Sequence, residues 1–570
     1  MGPRMTIATL VSLVVMLGAV EARAQDFTPV TDAMLADPDP ADWLSWRRTL
    51  DGQGYSPLDQ INRDNVGELR LAWSWGMEPG VNATTPIVYD GVMYLVNPGW
   101  VVQALDARNG DLIWEYRPPA GGGGFGQMRS LAIYEDLLIV NASGPRIFAL
   151  DVRTGELRWE TPVGPQDAGF GFTNGPIVAN GVVVAGLTNC GRFQEEPCSL
   201  FGVDARTGRV LWRTPTVAMP GEHGDETWGG LPPMYRAGVE AWMTGSFDPE
   251  TGLVYWGTAQ AKPWSRAGRR TFGETELYAG GERELYANST LALDPKTGEI
   301  VWYFQHIPGE SHDMDEAFER ILIDWNGRKS MFSMGKLGIL WELDRETGEF
   351  IRAVDLGYQN LVNVNFETGE VSYRSGMIQE LDKPFYQCPS FAGVRGLRSM
   401  AYHPDVEALY IPVALSCQTS SFPEVEWREG GGGSGPVYDR TNHFHPDSPE
   451  HLGQFLALDL KTGKPLWSVK RRSVPHTAAL TTGGGLVFFG DLERYFFAYD
   501  AETGEELWRT RLSTATNGFP ITYAVDGKQY IAVMAGQAGL GISWSTIIPS
   551  TLTPEIRNPR AGNAVYVFTL

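Results

Sequence analysis

One short phrase recurs along this chain and limits its fold more than any other feature. It reads Ala/Gly-x-Asp-x-x-Thr-Gly, then three residues, then Trp. It runs Ala104–Trp114 (with Asn for Thr), Ala149–Trp159, Gly202–Trp212, Ala292–Trp302, Ala457–Trp467 and Ala498–Trp508. A looser copy spans Glu342–Ile351 and a degenerate one ends at Trp256. Steps of roughly 40–50 residues are the mark of a propeller or solenoid.

The phrase has a mechanical meaning. A strand ends at the apolar residue before Asp, the Asp side chain caps a turn, and Thr-Gly supplies a hydroxyl and a φ > 0 position to close it. A second short strand then carries Trp, completing a β-hairpin. An indole at each hairpin end is a large apolar plate with one N–H to satisfy. Repeated between sheets, it suits a ring of four-stranded blades. Two gaps, Asp204 to Asp294 and Asp344 to Asp459, are nearly double the step, so blades with altered copies or insertions sit there. The expected fold is all-β: a β-propeller of seven to eight blades with Trp-docking motifs.

One ring uses nearly all of the 570 residues, so a single domain over 25–570 is expected. A hydrophobic content of 43% with 67 Gly and 19 Trp suits a turn-rich β protein and is far from a disordered composition. The net charge of −22 argues against a nucleic-acid partner. It serves solubility, or a docking face for a basic redox partner. Residues 1–24 read as a signal peptide: Arg4 in the n-region, Leu10–Val20 as the apolar stretch, and Ala22-Arg23-Ala24 before the cleavage point. That stretch is short for a membrane span, so a secreted, periplasmic protein is expected. Export makes disulfides plausible for the four cysteines, with Cys190–Cys198 closing a small loop and Cys388–Cys417 a larger one. The chain has no Cys-x-x-Cys-His for covalent haem.

Trp43–Arg70 reads as loop and turn ahead of the blades, which start near Leu71. Gly121–Gly126 and Gly430–Gly435 read as flexible loops without the Lys-Ser/Thr that a phosphate cradle needs. Thr419–Pro449 reads as a long polar loop, a lid or an insertion. Asn563–Leu570 alternates as a strand that closes the ring against the N-terminal part.

Longer runs carry a resemblance. The stretch from Asp42 to Met77, Gly224–Gly230 (GDETWGG), Ala241–Ala259 and Leu285–His306 are similar in order and spacing to the quinoprotein alcohol dehydrogenases. These are eight-bladed propellers using pyrroloquinoline quinone (PQQ). The resemblance covers the mature chain and looks nearest to the sorbose/sorbosone-type periplasmic branch. It implies that PQQ carries the redox chemistry. It further implies a hard cation, Ca²⁺ or a lanthanide, polarising the quinone, and a carboxylate taking the alcohol proton as hydride leaves carbon.

By that resemblance Asp313 is the base, although His312 stands where the family has Trp. Asp315, two residues on, resembles the extra carboxylate of lanthanide-using members. In an extended loop i and i+2 face the same way, so both aspartates can face one ion. Gln260 replaces the family's Asn ligand. The family's glutamate ligand falls in a stretch that here reads Asn189–Glu196, with Glu195 or Glu196 as substitutes. Trp242 is implied to stack on PQQ, Arg129 to pair with a PQQ carboxylate, Thr173 and Thr188 to hydrogen-bond it, and Lys336 to face the quinone oxygens. Cys388 and Cys417 match a family disulfide. The vicinal cysteines of methanol-type members are missing, and so is the Asn beside the second quinone oxygen.

The function expected is oxidation of alcohols, polyols or sugars, with electrons passed to a soluble cytochrome c or similar carrier. The alternative is a non-catalytic propeller that binds proteins in the cell envelope, since fold alone does not fix function.

Overall fold

The structure, a computed structural model, describes residues 27–119, 129–142, 144–272, 283–433, 437–536, 547–559 and 561–570. The expected signal peptide, the Gly121–Gly126 loop and the end of the Gly430–Gly435 loop lie outside the described residues.

The protein is an all-β propeller. Among the described residues, eight sheets each contain a run of four antiparallel strands. One of them runs Ile87–Tyr89, Val92–Asn97, Val101–Asp106, Leu112–Tyr116 in spatial as in chain order. Burial follows that order. The three-residue first strand is wholly buried, the middle two nearly so, and the last is largely exposed. The first strands of neighbouring sheets touch: Ala132–Tyr134 meets Ile177–Ala179, which meets Ser246–Asp248, which meets Ile321–Trp325. First strands therefore crowd an axis, and last strands form a rim.

The repeated phrase builds each hairpin turn. Asp151 Oδ1 accepts the N–H groups of Arg153 (2.9 Å) and Thr154 (3.2 Å), and the Gly155 N–H returns to the Asp151 carbonyl at 2.8 Å. Asp204, Asp344, Asp459 and Asp500 accept in the same way. Four of the six tryptophans in the full copies reach across to a backbone carbonyl of the next sheet. Trp114 Nε1 donates to the Val152 carbonyl (3.1 Å), Trp159 to Ala205 (3.1 Å), Trp212 to Pro295 (2.8 Å) and Trp467 to Ala501 (2.9 Å). Each acceptor lies in the next full copy of the phrase. The glycine of that copy lies under the indole: a Cβ on Gly155 would come within 2.5 Å of Trp114, and one on Gly504 within 2.5 Å of Trp467. Thr-Gly thus ends in glycine for two reasons, its φ of +72° at Gly155 and the ring that covers it.

The last sheet joins the chain's two ends. Ala564–Thr569 pairs antiparallel with Arg70–Gly76 on one side and with Lys528–Ala535 on the other. This is the closing strand expected from the alternation of 563–570.

The segment read as lead-in loop does more than precede the ring. Backbone hydrogen bonds tie Ala41 to Ala524, Trp43 to Val88, Leu50 to Phe247, Asp51 to Leu322, Gln53 to Tyr402 and Gly54 to Thr481. Residues 41–54 thus touch the first strands of six sheets. Arg47 is buried among them, and its Nη2 donates to the Met400 and Ala479 carbonyls at 2.7 Å each.

Thr419–Pro449 is not a loop throughout. Ser416–Ser421 pairs with Tyr438–Phe444 and with Phe385–Gln387 in a three-stranded sheet of its own. Polar composition suggested a loop, but the backbone finds partners in this inserted sheet. Both expected disulfides form, Cys190–Cys198 and Cys388–Cys417.

Removing one indole tests the sheet junctions. Trp212→Ala is expected to cost about 3 kcal/mol or more, and Gly298→Ala, at a φ of +75° under that indole, to destabilise in the same direction. The exposed neighbour Glu299→Ala should stay within about 0.5 kcal/mol. Urea midpoints at constant m-value measure all three.

Candidate functional site

Between the strands Ile300–Gln305 and Ile321–Trp325 the chain runs without regular structure, yet 309–320 is buried throughout. Such a segment must satisfy its polar groups from neighbours. Arg269 Nη2 donates to the Glu310 carbonyl at 2.6 Å and Asn288 Nδ2 to the Met314 carbonyl at 3.2 Å. His312 lies between Gln379, whose amide donates to Nδ1 (2.7 Å), and the Met377 carbonyl, which accepts from Nε2 (2.9 Å). Burial lowers its pKa to about 4, so the ring stays neutral. Stacked on Phe385 at 5.2 Å, it pins the backbone next to Asp313.

Asp313 itself sits at φ +62°, in the left-handed region that Asp tolerates better than most residues, and its side chain is buried. Asp313 and Asp315 converge on one ammonium: Lys336 Nζ lies 3.0 Å from Asp313 Oδ1 and 2.9 Å from Asp315 Oδ2. Gln260 joins them, its Nε2 donating to Asp313 Oδ1 at 2.7 Å and its backbone N–H to Asp315 Oδ1 at 3.2 Å. Its Oε1 is buried with no hydrogen-bond partner. Burial pushes the Asp313 carboxyl well above its ordinary range. Lys336 counters this, while Asp315 and Glu310 repel and add to it. For Lys336, burial favours the neutral amine, but the two aspartates outweigh it and raise its pKa. The same segment holds two more buried acids. Glu310 is pushed up to about 7 and Glu316 to about 8, both chiefly by burial.

A second group packs on the same segment through Phe318. The Arg129 guanidinium is buried 5.5 Å from the centroid of the Trp242 indole. Trp242 meets Phe318, of the Asp313 segment, edge-on at 5.0 Å. Arg129 Nε and Nη1 have no hydrogen-bond partner among the described residues, and burial alone lowers its pKa to about 9. The Thr188 hydroxyl is likewise buried and unpartnered. Thr173 differs: its hydroxyl donates to the Trp242 carbonyl at 2.9 Å, which fixes the indole's backbone.

The substitutes for the family's glutamate do not reach this place. Glu195 is exposed, and Glu196 pairs with Arg213, because the loop closed by Cys190–Cys198 turns them outward. Neither is the ligand that the sequence suggested. Among the described residues, no third carboxylate oxygen gathers with those of Asp313 and Asp315 within 4.8 Å of one another. A buried glutamate that the sequence analysis missed lies close by. Glu240 Oε1 accepts the Cys190 N–H at 2.8 Å and pairs with Lys262 Nζ at 2.9 Å. Lys262 is also within electrostatic reach of Asp315 and Asp313. The available signal was a lone acid two residues before Trp242, inside an otherwise apolar run.

An aromatic strap crosses beside the disulfide loop. Trp427 stacks on Phe193 at 4.9 Å, and the Phe193 N–H donates to the Gly431 carbonyl at 3.0 Å. Trp264, four residues after Gln260, stacks on Phe391 at 6.1 Å, and its Nε1 is buried without a partner.

These orphaned groups fit an anionic planar molecule with a hard cation beside it. A buried, unpaired guanidinium next to an indole suits a planar carboxylate. The two aspartates and the free Gln260 oxygen are hard ligands.

Comparison with known proteins gives the same direction. The family model "PQQ: Glucose/ethanol/alcohol dehydrogenase, beta-propeller domain" matches residues 43–356 and 476–531. The chain is 32% identical to the quinohemoprotein alcohol dehydrogenase ADH-IIG of Pseudomonas putida, over 93% of this chain and 77% of that protein. It is 33% identical to the quinohemoprotein alcohol dehydrogenase of Comamonas testosteroni, over 85% of this chain and 71% of that one. The solved structure of ADHIIG from Pseudomonas putida HK5 superposes with a TM-score of 0.81 at 28% identity, covering 95% of this chain and 83% of the other.

The Glu240–Lys262 pair is testable by a double-mutant cycle. Lys262→Met alone strands a buried carboxylate and should cost about 3 kcal/mol. Adding Glu240→Gln should recover most of it, and chemical denaturation of the four proteins gives the coupling energy.

Proposed function

This chain belongs to the PQQ-dependent alcohol dehydrogenase family, and on that premise we propose how its residues share the oxidation of an alcohol. The carrying observation is the buried Arg129–Trp242 pair, unpartnered at its guanidinium, facing the segment that holds Asp313, Asp315 and Gln260. Arg129 and Thr188 hold the carboxylates of PQQ and Trp242 packs against its face. Thr173 positions that indole. Asp313, Asp315 and the Gln260 side-chain oxygen hold the cation, with Lys336 beside them.

When bound, PQQ supplies a two-electron acceptor and the cation polarises its reactive carbonyl. Asp313 accepts the hydroxyl proton as the carbinol C–H leaves with its electron pair. Burial favours a protonated Asp313, while Lys336 opposes this and a bound cation would do the same, so the carboxylate would be held ionised and able to take the proton. Burial of 309–320 keeps water from the base. Asp315 adds a second negative charge at the cation and favours a trivalent lanthanide over Ca²⁺.

We read the eight four-stranded sheets as eight blades of one ring over 25–570, docked by the indole contacts. Residues 1–24 direct export to the periplasm, where the two disulfides form. Electrons leave to a soluble carrier such as cytochrome c, drawn to the acidic surface. Among the described residues no helix is long and apolar enough to cross a membrane.

The direct experiment adds PQQ with Ca²⁺ or La³⁺ to the apoprotein and follows dye reduction with an alcohol panel. Reduction that needs both additions supports the reading; none with either cation and any alcohol refutes it. Asp313→Asn should lower kcat by about 10²-fold or more while PQQ still binds, as fluorescence titration reports. Arg129→Met should weaken PQQ binding at least tenfold. It should also raise the melting temperature of the apoprotein, because an unsatisfied buried group costs about 1–3 kcal/mol. Asp315→Ala should depress La³⁺-supported activity more than Ca²⁺-supported activity.

A further inference from the structure

Arg440 stands out from the chain's other cations. Most exposed arginines pair with acids, as Arg108 does with Asp106 and Arg153 with Asp151, in a chain with 68 acidic and 46 basic side chains. Arg440 is half-buried and has no hydrogen bond or ion pair among the described residues, and its Nε is fully buried.

Its placement is built. Arg440 lies on the inserted strand Tyr438–Phe444, where the register with Ser416–Ser421 slips between Thr419 and Ser421. The slip puts one extra residue on the Tyr438 side, and Asp439 takes a φ of +51°. A bulge of this kind turns a side chain out of the ladder, and such bulges gather beside active sites. Here it lays the guanidinium over Phe391, 4.0 Å from the ring centroid. Phe391 is fixed by its N–H to Gln418 Oε1 (3.2 Å) and packs on Trp264. Two residues on, Gly393 abuts the Lys336 side chain so closely that a Cβ would lie 2.6 Å from it. The Val394 N–H donates to the Lys336 carbonyl at 2.7 Å. Arg440 is thereby joined through one aromatic wall to the ammonium that bridges Asp313 and Asp315. The charge of Asp313 also acts on it directly. The disulfide Cys388–Cys417 ties the segment leading to Phe391 to the strand Ser416–Ser421, which pairs with the strand of Arg440.

A guanidinium stacked on a ring keeps its planar N–H edge free for a planar acceptor. Neutral hydroxyls leave the charge uncompensated, whereas a carboxylate takes two charge-assisted hydrogen bonds. We propose that Arg440 is a specificity residue that binds a carboxylate of the substrate, so that the preferred substrates are hydroxy acids. Their carbinol carbon faces Asp313 while the carboxylate is held at the Phe391 wall. This rests on the alcohol oxidation proposed above and names its substrate class. Oxidation of the carbinol to an aldehyde or ketone releases one proton to Asp313 and two electrons with hydride to the cofactor. The carboxylate is unchanged.

The test uses the PQQ- and cation-loaded enzyme with pairs in which a carboxylate replaces a methyl group. These are glycolate with ethanol, 3-hydroxypropanoate with 1-propanol, and 4-hydroxybutanoate with 1-butanol, with 1,4-butanediol as the neutral polyol. In at least one pair kcat/KM for the acid should exceed that for its alcohol by tenfold or more. Arg440→Leu should reduce that ratio about 10²-fold, chiefly through the acid's KM, and Arg440→Lys should fall between. No preference in any pair, a ratio indifferent to the substitution, or a preference for the diol overturns the proposal. Calorimetric binding of butanoate requires no turnover and separates the two readings. If no alcohol is oxidised but butanoate binds and Arg440→Leu abolishes it, the carboxylate site stands while the proposed reaction fails. If the alcohols are oxidised and neither butanoate binding nor the ratio depends on Arg440, the reaction stands and this site does not. Melting curves of the variants show whether each is folded.

Discussion

An indole resting on a glycine is the contact on which this architecture depends. A four-stranded sheet has two faces to cover, and here each is covered by another sheet of the same kind. The tryptophan at the end of one hairpin donates to a backbone carbonyl in the next and lies on that hairpin's glycine, as Trp114 does on Gly155 and Trp467 on Gly504. Any larger residue would push the ring away. Repeating one junction with a constant offset makes the sheets turn about an axis, and pairing the C-terminal strand with Arg70–Gly76 joins the two ends of the chain in one sheet. The axis is then crowded by short first strands, and residues 41–54 tie six of them together through backbone hydrogen bonds.

That rigid ring holds an arrangement that is costly in isolation. Asp313, Asp315, Glu310 and Glu316 are buried within one segment, answered by Lys336 and, across Glu240, by Lys262. Arg129 is buried with two nitrogens unsatisfied. Buried charge persists only where the surroundings impose it, and such frustration gathers where ligands bind. Neighbouring groups do the imposing: Asn288 donates to the Met314 carbonyl, and Gln379 and the Met377 carbonyl hold the His312 ring from both sides.

Much of the ring was legible in the chain because its junction is local: eleven residues contain the turn, the glycine and the tryptophan. The resemblance singles out Trp242 within the run Ala241–Ala259, Asp313 shortly after Leu285–His306 and Arg129 on its own, and the structure buries Asp313 and Arg129. Glu195 and Glu196 were misplaced because linear proximity to a motif does not say which way a disulfide-closed loop faces. Glu240 was passed over because a single acid before Ala-Trp carries no pattern, and it gains meaning only from Lys262 and Cys190. Thr419–Pro449 looked like a loop because its composition is polar and Gly-rich, but its strands find partners in Phe385–Gln387, over thirty residues upstream.

The sequence by itself determined an all-β propeller of repeated hairpins, since repeat spacing and motif order are properties of the linear chain. Only the tertiary structure decided that Asp313 and Asp315 meet at the Lys336 ammonium, which loop glutamates turn to solvent, and that a bulge lays Arg440 against Phe391. Those outcomes depend on distances between residues tens to hundreds of positions apart, set by how the sheets close around the axis.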